Sequence, residues 1–359
     1  MKPRNISIYV LVLVTLMLIS LACSVSIDTG GLFGSEEEES PEVEVVQLED
    51  AEEEQPPAVV EPVIEHTLIP GNPGTADQEK DDIDTSNTAA DKNALGDSYR
   101  LGNVERPFTM TDMTYQPQTD LLNLQISKGT DFYYFTFELK GVDPNSMTPS
   151  AYYAIEFDTD YDGRGDLLLW ALGDGNSEWN IDNVMLLRDS NDDVGGSSPV
   201  VPDNSPGNGY DEVLFSKDVL TDPDVAWKRV DPTNTANIQL AVKMSYVDNT
   251  RFYWKAWSDS SIMDPAQFDY NDRYSEPQAG SANKNSEFYP LGRMHSMDST
   301  CWIAYNLEPT GTEVGGCVVK PPEPQCVCGG RAESYGEDCC TICGFYWDPW
   351  KKACTVNRK

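Results

Sequence analysis

Basic residues and histidine are scarce in this chain. Two histidines and 25 Lys and Arg stand against 60 Asp and Glu, leaving a formal charge of −35 over 359 residues. This balance argues against nucleic acid as a partner, since binding phosphates requires clustered Lys and Arg. It equally disfavours electrostatic docking on anionic lipid. His66 sits in an acidic stretch and His295 in "GRMHSMD". No Gly-x-Ser-x-Gly elbow accompanies His295, which therefore reads first as a polar surface or core residue. Phosphate-cradling glycine loops are also missing. Paired carboxylates for glycoside hydrolysis stay open, but among sixty acids their mere presence carries no information. Long stretches with 3.6-residue apolar periodicity are lacking, which argues against a helical fold. No cysteine occurs between Cys23 and Cys301.

What is present begins with Lys2 and Arg4, followed by an uncharged apolar run from Ile6 to Ala22. A short basic start and an apolar stretch read as a secretory signal over residues 1–22. It ends in Ser20-Leu21-Ala22-Cys23, which resembles the lipobox of bacterial lipoproteins. The resemblance implies acylation of Cys23 and anchoring to a bacterial membrane or cell surface, outside the cytoplasm. Ser20 departs from the branched apolar residue usual there. Ordinary cleavage before Cys23 fits the small residues Ser20 and Ala22 too, and an uncleaved anchor would have about 17 residues, at the low end for a span.

Residues 24–95 carry twenty acids against Lys80 and Lys92, with Pro, Gly and Ser and no aromatic after Phe33. Such a segment buries too little apolar surface to offset its ordering entropy. The reading is a disordered acidic tether over 23–96. Composition then changes: residues 97–320 hold six of the eight tryptophans and are long enough for one sizeable core. The pattern there is alternation. In "DFYYFTFELKG", Tyr133, Phe135, Phe137 and Leu139 share one face; in "NIQLAVKMSY", Ile238, Leu240, Val242, Met244 and Tyr246 do. A period of two means strands with one buried face. Further candidates lie at 121–127, 151–158, 167–172, 183–188, 211–216 and 251–257, with Gly, Pro, Asn and Asp between them. The expected fold is all-β, an antiparallel β-sandwich over 97–320.

"LLNLQISKGTDFYYFTFELKG" and "AYYAIEFDTDYDGRGDLLLWALG" are similar to the opening hairpins of sandwich domains related to family 9 carbohydrate-binding modules and DOMON domains. The similarity covers residues 100–260 and implies a non-catalytic binding sandwich; it carries over no ligand residues.

Eight cysteines close the chain: Cys301, Cys317, Cys326, Cys328, Cys339, Cys340, Cys343 and Cys354. An even set in an exported chain reads as four disulfides, leaving Cys23 for a separate role. Cys301 and Cys317 form the natural outside pair; closing a loop of about 15 residues is worth roughly 3 kcal/mol. The other six fall in a small module over 321–359 that cross-links must hold together, and their pairing stays open. Cys340 and Cys343 also match a zinc knuckle, without a matching second pair.

The sharpest candidate site is "DTDYDGRGD". Calcium takes about six to eight oxygens at roughly 2.3–2.6 Å. Asp158, Asp160 and Asp162 match the first, third and fifth positions of a calcium loop, Gly163 its sharp turn, the Arg164 carbonyl its seventh position and Asp166 its ninth. Leu169 replaces the bidentate Glu that would close the site, so Glu156, Asp189, Asp192 or Asp193 would have to assist. The competing reading is a plain hairpin turned by Asp162-Gly163. Against it stands the repulsion of four carboxylates in nine residues. Millimolar calcium would act here as a local brace: at a Kd of about 10⁻⁴–10⁻³ M it adds only about 0.4–1.4 kcal/mol.

In "RFYWKAW", Tyr253 and Trp257 share a face with Lys255. If that face is solvated, the two rings could stack on sugars, with Trp170 and Trp179 contributing; otherwise they are core. The functional expectation is a non-catalytic, calcium-braced surface lipoprotein that binds a glycan or partner protein. A carboxylate-dependent extracellular hydrolase and a structural envelope protein are the alternatives. Growth with a radioactive fatty acid is expected to label the chain; an unlabelled chain contradicts the lipid anchor.

Overall fold

The computed structural model describes residues 64–195, 207–219, 221–247, 250–260, 264–268, 270–294, 296–313 and 315–317, with the backbone of two short strands in the tail. Cys23, the chain up to residue 63, and Cys326, Cys328, Cys339, Cys340 and Cys343 lie outside the described residues, as does His295.

The strands are β1 (Gln78–Asp81), β2 (Glu105–Arg106), β3 (Leu121–Lys128), β4 (Phe132–Leu139), β5 (Tyr152–Asp158), β6 (Leu167–Leu172), β7 (Val184–Arg188) and β8 (Glu212–Phe215). They continue as β9 (Ala226–Asp231), β10 (Asn234–Lys243), β11 (Phe252–Asp259), β12 (Met297–Ser299), β13 (Ile303–Tyr305), β14 (Tyr346–Asp348) and β15 (Ala353–Thr355). The all-β antiparallel expectation holds. One sheet runs β1-β3-β4-β10-β9; the other runs β2-β12-β11-β5-β6-β7-β8, with β13 also paired to β11. The tail contributes the β14–β15 hairpin, in which Cys354 stands opposite Trp347.

Alternation explains how the sheets face each other. Phe135 and Phe137 of β4 meet Phe157 and Tyr153 of β5, each pair with ring centroids 5.6 Å apart and edges to faces. Trp254 of β11 packs on Phe135 at 5.5 Å, and Phe252 on Tyr133 at 5.3 Å. Leu124, Ile126, Leu240, Val242, Ile155 and Leu169 fill the spaces between. Burying each such side chain stabilises by about 1.5–3 kcal/mol, and each ring pair adds about 0.5–1.5 kcal/mol.

The second sheet departs from one-sided burial. Its other face, carrying Ala154, Leu168, Trp170 and Trp257, lies beneath Tyr99, Val104, Val194, Tyr210, Phe268, Tyr270, Met294 and Met297. Tyr253 is 4% exposed and Trp257 1%. Of the two alternatives for this face, solvated or core, the core one holds for Trp257. The cover comes from residues in stretches with no strand rhythm, Tyr99, Val104, Val194, Tyr210, Phe268, Tyr270 and Met294, joined by Met297 of β12. Lys255, on the same face, is buried with them.

The tether reading is corrected. From residue 64 onward the acidic segment lies on the sheets, because it finds specific partners there. Asp77 donates its N–H to Ile126 O, β1 pairs with β3, and Gly71 donates its N–H to the Tyr134 hydroxyl at 3.1 Å. The Trp179 indole donates to Gly71 O at 2.9 Å while Arg229 lies over its ring at 4.4 Å. Asp224 anchors the start: it accepts from Thr67 N and Oγ1 and from Leu68 N, and it pairs with His66 Nδ1 at 2.9 Å. His66 in turn packs on Trp227, centroids 4.5 Å apart.

Burial alone would raise the Asp224 carboxyl, but the Thr67 and His66 side chains and the backbone donors hold it below its ordinary value. A group depressed by folding adds stability above its unfolded pKa of about 4, and that stability is lost as pH falls through the lower folded value. Asp224→Ala is expected to cost about 2–4 kcal/mol at pH 7 in denaturant unfolding, by leaving those donors buried and unpaired. The difference from wild type should shrink as pH falls below about 4. An unchanged unfolding midpoint at pH 7 would contradict the docking of 64–71.

Candidate functional site

β5 ends at Asp158 and β6 begins at Leu167, so "TDYDGRGD" is the connection between two central strands of the second sheet. Its conformation is built by its own aspartates. Asp158 accepts from Tyr161 N at 2.6 Å and from Gly163 N at 2.9 Å. Asp160 accepts from Asp162 N at 3.1 Å, and Asp162 from Arg164 N at 2.8 Å. Asp166 accepts from Thr159 N and Oγ1, tying the two ends together. Two residues take positive φ, Tyr161 at 73° and Gly163 at 88°. Glycine meets that demand freely, whereas Tyr161 occupies a region that side chains with a Cβ enter at a cost.

One carboxylate oxygen each from Asp158, Asp160 and Asp166 lies within 4.8 Å of the others. Asp162 is not part of this group. The Arg164 guanidinium turns away, donating to Asp192 O at 2.8 Å, with its Nε 3.9 Å from Asp162. Glu156, Asp189, Asp192 and Asp193 stay outside the group too. Asp189 accepts from Asn191 N and Val194 N, and Glu156 accepts from the Tyr210 hydroxyl and the Trp257 indole. Burial pushes Asp158 up to about 7, with the charges of Asp166 and Asp162 adding to it, and burial likewise raises Asp166. A cation at this point would relieve both effects.

An open cleft of about 440 Å³ lies against the loop. Asp158, Tyr161 and Asp162 form one wall; Tyr253, Trp302, Glu308 and Glu313 contribute the other surfaces. The Tyr161 ring is 45% exposed yet held in place. Its hydroxyl donates to Arg251 O at 3.1 Å, and its ring meets Tyr253 edge to face at 6.1 Å. Burial, with the Glu313 carboxylate beside it, pushes the Tyr253 hydroxyl up to about 12. Against a burial penalty, the N–H groups of Thr310 and Gly311 and the Thr310 hydroxyl hold Glu313 down to about 2, so it is ionised at neutral pH.

The expected Cys301–Cys317 bridge is formed, with Cα atoms 4.9 Å apart. It closes the segment that supplies Trp302, Glu308 and Glu313. Within it, Trp302 N donates to Gly315 O and Cys317 N to Trp302 O, so the wall is fixed by both covalent and backbone bonds. Loop-closure entropy alone assigns such a bridge roughly 3 kcal/mol.

Of the two aromatic candidates, Tyr253 reaches the cleft and Trp257 does not. Trp257 instead lies beneath the Lys255 ammonium, 4.0 Å from its ring centroid, with Tyr270 and Trp302 at 5.7 and 5.9 Å. Burial lowers Lys255 to about 8, partly offset by the Glu156 charge, while burial raises Glu156. Trp170 stacks on Tyr152, and Trp179 donates to Gly71 O with its ring beside Tyr134 and Arg229, both away from the cleft lining. The residues missed by the sequence reading are Tyr161, Trp302, Glu308 and Glu313. Tyr161 was visible inside the Asp-rich stretch as the sole ring there; the others carried no local signal.

No protein-family model, curated protein or solved structure matches the chain.

Proposed function

We propose that the chain is a non-catalytic lipoprotein, anchored through Cys23 outside the cytoplasm, whose cleft binds an extracellular glycan beside a calcium-braced loop. The carrying observation is Tyr161, a positioned and half-open ring on a wall whose neighbours are carboxylates and hydroxyls. Sugars present apolar C–H faces that pack on rings and hydroxyls that donate to carboxylates. The cleft supplies both kinds of partner: Tyr161, Tyr253 and Trp302 for the faces, and Asp162, Glu308 and Glu313 for the hydroxyls.

Calcium has a supporting part. Bound by Asp158, Asp160 and Asp166, it would neutralise repulsion in the loop and hold Tyr161 in its positive-φ geometry. Ligand affinity would then depend on the ion even if the ion never touches the ligand. The sandwich rhythm shared with family 9 carbohydrate-binding modules and DOMON domains is consistent with this reading. The tail cysteines, including Cys326, Cys328, Cys339, Cys340, Cys343 and Cys354, enter the proposal only as a disulfide-linked module.

Screening the protein on a broad glycan array, followed by calorimetry on the bound class, is the direct test. Tyr161→Ala is expected to weaken binding by about ten-fold or more, in line with roughly 1–3 kcal/mol for an anchoring ring. Asp160→Asn or chelation should weaken it several-fold. The same glycans should be returned uncleaved; release of reducing ends would favour a hydrolase, and an array without binding would overturn the glycan reading.

A further inference from the structure

A second acidic cluster, remote in sequence from the loop, joins the two sheets at one edge. Glu105 of β2 and Asp298 of β12 are direct cross-strand partners in the second sheet. Asp120 stands at the entrance to β3 in the first sheet, and the next residue, Leu121, donates its N–H to Asp298 Oδ2 at 2.7 Å. One oxygen each from Glu105, Asp120 and Asp298 lies within 4.8 Å of the others, and all three residues are fully buried. Asp82, just past β1, is a fourth acid whose charge acts on both Glu105 and Asp298.

Local donors satisfy part of this group. Thr85 Oγ1 donates to Glu105 at 2.6 Å, the Tyr115 hydroxyl donates to Asp120 Oδ2, and Ile83 N donates to Asp82 Oδ1 at 3.0 Å. Two oxygens are left over. Asp298 Oδ1 and Asp82 Oδ2 are buried with no hydrogen-bond partner, and Asp298 as a whole is 0% exposed. The neighbouring Arg106 does not compensate them: its guanidinium is bound to Asp97, 2.9 Å away, and to carbonyls of Ala279, Gly280 and Met294. Among the described residues, no Lys or Arg lies within ion-pair distance of any of the four.

Several carboxylates sharing one buried point without a cation is a costly arrangement, for burial disfavours each charge and the charges repel one another. We propose that Glu105, Asp120 and Asp298, with Asp82 beside them, hold a buried calcium ion that clamps the two sheets together. The donor set is all oxygen, which suits a hard cation and offers nothing to a metal that needs imidazole or thiolate. Magnesium retains several of its waters, whereas calcium accepts a cage made mostly by protein. Asp298 Oδ1 and Asp82 Oδ2 are the oxygens that the ion would satisfy. Because Asp82 and Asp120 flank strands of one sheet and Glu105 and Asp298 belong to the other, the bound ion links elements that no backbone pairing joins. This site is independent of the loop at Asp158 and of the glycan reading.

The test removes the loop site first. In full-length protein carrying Asp158→Asn and Asp160→Asn, equilibrated with calcium and desalted, atomic emission is expected to find one calcium per chain. Adding Asp298→Asn or, as a second variant, Glu105→Gln should abolish it. Thermal unfolding gives an answer of opposite sign for the two cases. With an ion bound, Asp298→Asn lowers the melting temperature in calcium by about 5 °C or more, and chelator no longer affects the variant. In chelator, the same substitution should raise the melting temperature relative to its parent, because it removes one repelling charge. No retained calcium, together with Asp298→Asn raising the melting temperature in calcium as well, would overturn the proposal.

Discussion

Burial of the second sheet on both faces is the constraint from which the rest of the molecule follows. Its inner face packs rings against the first sheet, as in any sandwich. Its outer face would present Trp170, Trp257 and Tyr253 to water, and instead it takes a covering of irregular chain. That covering accounts for the buried Lys255 and Glu156. Lys255 lies over Trp257 with Tyr270 and Trp302 nearby, and Glu156 takes hydrogen bonds from Tyr210 and Trp257. A charged residue under such a layer is tolerated only with partners like these. The same layer ends near Trp302, where the disulfide-closed segment leaves the cleft beside the Asp-rich loop open.

Much of the sheet structure was legible because alternation is a local property. β3, β4, β5, β6, β7, β8, β10 and β11 each lie close to the stretch whose rhythm announced them. β9 was not among the strand candidates; Lys228 and Arg229 in the middle of "AWKRVD" interrupt any apolar rhythm. In the fold Lys228 donates to Leu172 O and Asp174, and Arg229 lies over Trp179. β1, β2, β12 and β13 span two to four residues, too few for a period to be measured. The ordering of 64–96 was invisible for a related reason. Its composition is that of a tether, and partners distant in sequence, among them Asp224, Tyr134, Trp179 and strand β3, make it worth ordering.

The candidate site divides along the same line. Asp158, Asp160 and Asp166 lie in one short loop, so their spacing alone indicated that they converge. Tyr161 and Glu313 lie about two-fifths of the chain apart and come to one cleft through β11 and the segment closed by the Cys301–Cys317 bridge. The buried cluster is the extreme case: Asp82, Glu105, Asp120 and Asp298 come from four places, each an unremarked acid among sixty. What identifies it is the combination of burial with unpaired oxygens. Among the described residues, acids converge at two points, the loop at Asp158 and the buried cluster at Asp298.

Amide hydrogen exchange, followed by mass spectrometry on the intact protein, tests the two-sided burial most directly. The account predicts that β5, β6 and β11 exchange slowest and that the covering segments around 99–104 and 270–294 are protected well above the rate of free peptide. Free-peptide rates in both covering segments, beside a protected sheet, would contradict it: the outer face would then be open, and Trp257 would return as a surface ring.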